Sequence, residues 1–222
     1  MKGSPFAICL MMATAPLALA GGLVGRVGPR PTAPPLSGPV TLDRAEGMTP
    51  GQIQRLSEDQ IDTLIVEANR SIQKFLDRTF IGPLPGPVWP SADYTLYYAA
   101  QISYDDWAFN NYIKTVSGPD LTSDGCSFPV ATAYKKTFDA NSCRHHDFAY
   151  RNLAQYYRTH TESVRKVADL RLFTDMNLQC VNDSTSRADL RTCNLAAVAA
   201  YAQARKVGAN AFNSVQAHYS NP

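Results

Sequence analysis

Ten residues from Cys143 to Asn152 read C-R-H-H-D-F-A-Y-R-N and bring together a cysteine, two histidines, a carboxylate and a tyrosine. On a helix, Cys143 and His146 share a face and Tyr150 lies one turn beyond His146 on it. Asp147 points about 100° away. Such a helix presents a base on one side and an anion on the next, which suits a cation held beside a general base. His146 is the candidate base near neutral pH, and it needs a carboxylate on its other ring nitrogen. Asp147 and the Asp124-Gly125 loop offer oxygen ligands of the kind a hard cation such as Ca²⁺ prefers. No serine sits in a G-x-S-x-G setting, so water is the expected nucleophile.

The elements that must position these groups follow from pattern. A second helix is expected from His160 to Cys180, where Asp169, Phe173, Met176 and Cys180 fall on one stripe. A carboxylate on a packing stripe needs a partner, so Asp169 is the candidate to orient His146, with the Tyr150 hydroxyl able to donate to it. Asp175 lies one turn from Arg171 and reads as half of a surface ion pair. A last helix is expected from Arg187 to Val207, with Leu190, Ala197, Tyr201 and Ala204 inward. Residues 117–141 hold Gly118-Pro119, Asp124-Gly125 and Phe128-Pro129 and read as loop.

The chain has 222 residues, 21 Lys and Arg against 19 Asp and Glu. Residues 1–20 read as a signal peptide: Lys2, an apolar run from Phe6 to Leu19, and Ala18-Leu19-Ala20 before Gly21. Its removal takes away Cys9 and leaves Cys126, Cys143, Cys180 and Cys193. In an exported chain these read as two disulfides with three possible connectivities. Residues 21–50, rich in Pro and Gly, are expected to be a disordered leader or propeptide. Residues 51–81 read as an amphipathic helical arm, opened by a Ser57/Gln60 capping box and striped by Ile61, Leu64, Ile65, Ala68, Ile72, Phe75 and Leu76. Residues 82–92 are a Pro-rich linker. Residues 93–222 form the main domain, which begins with the aromatics Tyr94, Tyr97, Tyr98, Tyr104, Trp107, Phe109 and Tyr112, expected on one or two helices and packed in the core. From Ala133 onward 12 bases stand against 7 acids, an excess that helps contact with an anionic surface. No Lys/Arg run interleaved with aromatics points to nucleic acid. Asn69-Arg-Ser71 and Asn182-Asp-Ser184 match the glycosylation pattern, with Asn182 expected in a loop.

The run Cys-x-x-His-Asp-Phe-x-Tyr-Arg-Asn, preceded by Asp-Gly-Cys, resembles the secreted phospholipase A2 family of prokaryotic and fungal type over roughly residues 93–210. The resemblance implies a mainly α, disulfide-linked catalytic domain carrying an N-terminal extension. It implies Ca²⁺-dependent hydrolysis of the sn-2 ester of phospholipids presented as a membrane or micelle. It places His146 as base, Asp169 as its supporting carboxylate, and Asp124, the Gly125 carbonyl and Asp147 at the metal. It pairs Cys126 with Cys143 and Cys180 with Cys193. His145 stands where Arg is common and Ala149 where Gly is common, and the first change bears on phosphate contacts or pH dependence. The Gly-rich calcium loop of the animal enzymes is absent.

Two rivals are weaker. A zinc site from Cys126, Cys143, His145 and His146 lacks the usual ligand spacing. A silent lipid- or receptor-binding effector of the same fold has no need of intact His146, Asp147 and Asp169. A secreted monomer is expected, and its N-terminal sequence should begin at Gly21 or further in. Recovery of Met1 on the exported protein would refute that cleavage.

Overall fold

The computed structural model describes residues 34–79, 97–104, 119–127, 134, 138–156 and 161–220. Residues 34–222 belong to one compact unit. In chain order the helices are α1 (Leu42–Glu46), α2 (Pro50–Ile53), α3 (Glu58–Thr79), a π-helical turn (Tyr97–Gln101), α4 (Ser142–Tyr156), α5 (Thr161–Asp183) and α6 (Arg187–Ser220). Among the described residues there is no strand, and no helix is long and apolar enough to cross a membrane.

The Pro-rich stretch departs from the expected disordered leader between residues 34 and 50. Three side chains spaced eight apart start three helices there. Thr41 caps α1 by accepting from Arg44 N, and Thr49 with Gln52 makes a capping box with Pro50 at the first helical position. Ser57 and Gln60 exchange bonds of 3.0 and 3.2 Å ahead of α3. Gln60 Nε2 also donates to the carbonyls of Leu36 and Gly38, and Arg55 Nε donates to Pro34 O, so the extended chain is pinned along the start of α3. Val40, Leu42, Ala45, Ile53 and Leu56 are buried. Local composition argued for disorder, but capped turns that bury apolar side chains overcame it.

On α3 the expected stripe is buried at Ile61, Leu64, Ala68, Ile72 and Leu76, with Ile65 and Phe75 partly so. It packs chiefly on α5, and Arg191 of α6 donates to Leu56 O at 2.8 Å. α5 carries the expected stripe of Asp169, Phe173, Met176 and Cys180, all buried. α6 runs past the expected end at Val207 and through Gly208 to Ser220. Asn182 lies in the last turn of α5 rather than in a loop, and is exposed. Of the aromatics after the linker, Tyr98 and Tyr104 are buried, while Tyr94, Trp107, Phe109, Tyr112 and residues 82–92 fall outside the described residues.

Disulfides join Cys126 to Cys143 and Cys180 to Cys193, with Cα atoms 5.3 and 5.5 Å apart. The first ties the loop before α4 to that helix and the second ties α5 to α6. Because the stripe of α3 closes the core beside α5, Leu64→Ala should lower the stability of the whole unit by about 2–5 kcal/mol. A single cooperative thermal transition moved to lower temperature is the expected result. An unmoved main transition would show α3 to be an independent arm.

Candidate active site

Cys143 anchors the first turn of α4, and His146 follows one turn later toward α5. Its Nε2 lies 2.9 Å from Asp169 Oδ1. Tyr150, one turn further, packs against the imidazole at a tilt of 41° with centroids 4.1 Å apart and donates its hydroxyl to the same oxygen at 2.7 Å. Asp169 has no exposure at all. Two arginines take its other oxygen: Arg165 of α5 at 3.2 Å and Arg205 of α6 at 2.8 Å. Glu162 pairs with both, accepting from Arg165 Nε and Nη2 at 3.0 Å each and from Arg205 Nη2. Burial alone pushes the Asp169 carboxyl up. The hydrogen bonds from His146, Arg205 and Tyr150, with the His146 charge, outweigh it and hold the group below the usual carboxylate range. Burial, then the charge of Asp169, raises the Tyr150 phenol, so it stays protonated and donates to Asp169.

The proton arrangement follows from this geometry. An ionised carboxylate only accepts, so His146 Nε2 carries a hydrogen, and in the neutral ring the lone pair is then on Nδ1. Among the described residues Nδ1 has no hydrogen-bond partner. His146 is 10 % exposed, so the ring is not wholly sealed from solvent.

Asp147 faces the loop. Its Oδ2 accepts from Ser123 Oγ at 2.6 Å, Asp124 N at 3.1 Å and Gly125 N at 3.2 Å. Burial raises its carboxyl despite the Ser123 bond and the nearby His146 and Arg151 charges. Gly125 has φ +74°, and a Cβ there would crowd Asp139, whose Oδ1 accepts from Cys126 N at 2.6 Å. Asn152, buried, clamps both backbone groups of Asp120 at 2.9 Å. The Asp124 carboxylate is turned outward, 66 % exposed, to Arg151 at 2.8 Å and Ser127 at 3.3 Å. The loop therefore meets Asp147 through the Ser123 hydroxyl and the backbone of Asp124 and Gly125, not through the Asp124 carboxylate. Asp147, Asp124 and the Gly125 carbonyl are all oxygen donors, the chemistry a hard cation takes. Cys126, Asp139 and Cys143 also cluster, but the disulfide consumes both sulfurs and leaves no thiolate for a metal.

His145 points the other way and is buried. Its Nδ1 lies 2.6 Å from Asp175 Oδ2 and its Nε2 2.7 Å from Tyr98 O, so it binds the π-helical turn to α4 and α5. The expected link to phosphate contacts does not suit a side chain 1 % exposed. Asp175 does meet Arg171, at 2.8 and 2.7 Å, but inside the protein rather than on its surface. The sequence reading had no place for Arg165, Arg205, Glu162, Asn152, Asp139 or Gly208. For Gly208 the signal was available: a glycine inside a helix costs about 1 kcal/mol relative to alanine and asks for a reason. Here the reason is Tyr150, because a Cβ at Gly208 would overlap its hydroxyl and lie 3.3 Å from its Cζ. Gly208→Ala should therefore lower the melting temperature, and the drop it causes should be smaller in a Tyr150→Phe background, where the hydroxyl that the added Cβ would meet is gone. A Gly208→Ala protein more stable than the parent would remove this account.

The family model described as prokaryotic phospholipase A2 matches residues 93–208. No curated protein and no solved structure matches the chain. The matched span is more than half of the sequence and holds α4, α5, both disulfides and most of α6, so the chain belongs to the prokaryotic phospholipase A2 family, a family of ester hydrolases that act on phospholipids.

Proposed function

We propose that the protein is a secreted, calcium-dependent phospholipase A2 that cleaves the sn-2 acyl ester with His146 as general base. The observation that carries this reading is the His146–Asp169 hydrogen bond, which sets the tautomer and leaves Nδ1 as the basic nitrogen. Water held at Nδ1 attacks the ester carbonyl and passes its proton to the imidazole. The C–O bond to glycerol then breaks, and the departing alkoxide takes that proton back, giving a fatty acid and a lysophospholipid. Asp169 keeps the ring in register and steadies the imidazolium, and Tyr150 fixes Asp169. Asp147, with Asp124 and the Gly125 carbonyl, would hold Ca²⁺. Bound there, the ion supplies a Lewis acid for the substrate phosphate and the carbonyl oxygen. The raised Asp147 carboxyl supports this, since a cation would offset the cost of its buried charge. Secretion is supported by the two disulfides and by the apolar run that ends in Ala18-Leu19-Ala20.

The test is turnover of phospholipid vesicles by folded variants. His146→Asn should nearly abolish it. Asp169→Asn should lower kcat by roughly 10²–10⁴-fold, as for an orienting carboxylate in triad enzymes. His145→Gln should keep most of the turnover and lose thermal stability, because it is wedged between Asp175 and Tyr98. Excess chelator should stop the wild type. Activity that survives chelation or Asp147→Asn would exclude the metal, and an active His146→Asn would exclude the base.

A further inference from the structure

The catalytic carboxylate is wired to a segment that lies outside the matched family region. Glu46 is the last residue of α1. Its Oε1 accepts from Tyr201 OH at 2.8 Å and lies 3.2 Å from Lys166 Nζ and 3.4 Å from Arg205 Nε. That Nε is buried and makes no hydrogen bond, so the Glu46 charge is what faces it. Arg205 in turn reaches Asp169, and Asp169 reaches His146. The segment is built to hold Glu46 in place: Thr41 caps α1, Leu42 and Ala45 are buried, Leu42 N donates to Glu67, and Asp43 pairs with Lys166 at 2.9 Å.

The physical need for such a group is clear from the charges. Arg165 and Arg205 both bind Asp169 Oδ2, and both compete with His146 for the charge of one carboxylate. Arg165 is offset by a two-pronged contact with Glu162, which also reaches Arg205. In a site of low effective dielectric, an arginine left undercompensated draws carboxylate density toward itself and away from the imidazole. Glu46 divides the attention of Arg205 and leaves Asp169 able to support His146.

We propose that Glu46 is a positioning residue for the His146–Asp169 pair, acting through Arg205, and that the N-terminal segment carrying it is a working part of the enzyme. The proposal rests on the phospholipase reading above. It means that maturation must spare this segment, because a cut beyond Gly47 would remove Glu46.

The experiment uses the full chain with calcium and phospholipid vesicles, comparing wild type, Glu46→Gln and Tyr201→Phe. Glu46→Gln removes the charge and keeps the shape, so kcat should fall roughly 3- to 30-fold, the range of mutations along a coupled network, with KM and calcium affinity unchanged. The low-field proton resonance of the His146–Asp169 hydrogen bond should shift in the same variant. Tyr201→Phe loses one hydrogen bond to Glu46 and keeps the charge, so melting temperature should drop while kcat and the resonance stay at wild-type values. If Glu46→Gln behaves like Tyr201→Phe, Glu46 is only a structural latch and the proposal is overturned. The resonance is read without turnover. A wild type inactive at every calcium level would sink the hydrolytic reading and still leave the coupling of Glu46 to the dyad to be decided by the resonance.

Discussion

An ionised carboxylate with no exposure to water sits at the junction of three helices, and the packing around it is arranged to make that tolerable. Asp169 receives the imidazole and phenol from α4, one guanidinium from its own helix and one from α6. An isolated buried carboxylate would neutralise itself by taking a proton. With four donors it remains charged, and its charge fixes the orientation of the His146 ring. The same donors cross-link α4, α5 and α6, so the packing of the helices and the geometry of the candidate site draw on one interaction. Removing any single donor leaves the other groups desolvated and short of a partner, a larger penalty than the net worth of the bond itself.

The adjacent histidines divide two tasks by geometry alone. Neighbours on α4 differ by about 100° in direction, while Asp169 and Asp175, six apart on α5, differ by about 120° the short way round. The two angular steps nearly match, so each histidine meets its own aspartate on the facing helix. What separates them is the second ring nitrogen. In His145 it is closed by the Tyr98 carbonyl, and in His146 it has no partner among the described residues. The His145 pair keeps the π-helical turn against the bundle.

Much of the core of this site could be read from local sequence, because its parts are governed by helical spacing. Tyr150 follows His146 by four residues, and Asp169 stood out as an acid on an otherwise apolar stripe. Asp175 misled because an Arg four residues before an Asp is a common surface pairing, and spacing carries no information about burial. Arg205 was invisible for a different reason: it lies 36 residues from Asp169 in the chain, so only packing of α6 on α5 brings them together, whereas Arg165, four residues before Asp169 on α5, obeys the same local spacing as Arg171 and Asp175. The loop was legible in its Asp-Gly turn. That its backbone and the Ser123 hydroxyl, rather than the Asp124 side chain, would meet Asp147 was not, since side-chain direction in a loop depends on partners such as Arg151.

The N-terminal extension shows how composition can mislead where a few contacts decide. Five prolines between Pro29 and Pro39 lower helical propensity and argued for an unstructured leader. Proline also reduces the conformational freedom of the unfolded chain, so ordering such a stretch loses less entropy than ordering a flexible one. The requirement is then only a modest set of anchors: carbonyls of Pro34, Leu36 and Gly38 for donors on Arg55 and Gln60, and pockets for Val40, Leu42 and Ala45. Once α1 is seated, its last side chain reaches the arginine that holds the buried carboxylate. A segment whose composition reads as a disordered leader or propeptide thereby comes to stand three contacts away from the histidine.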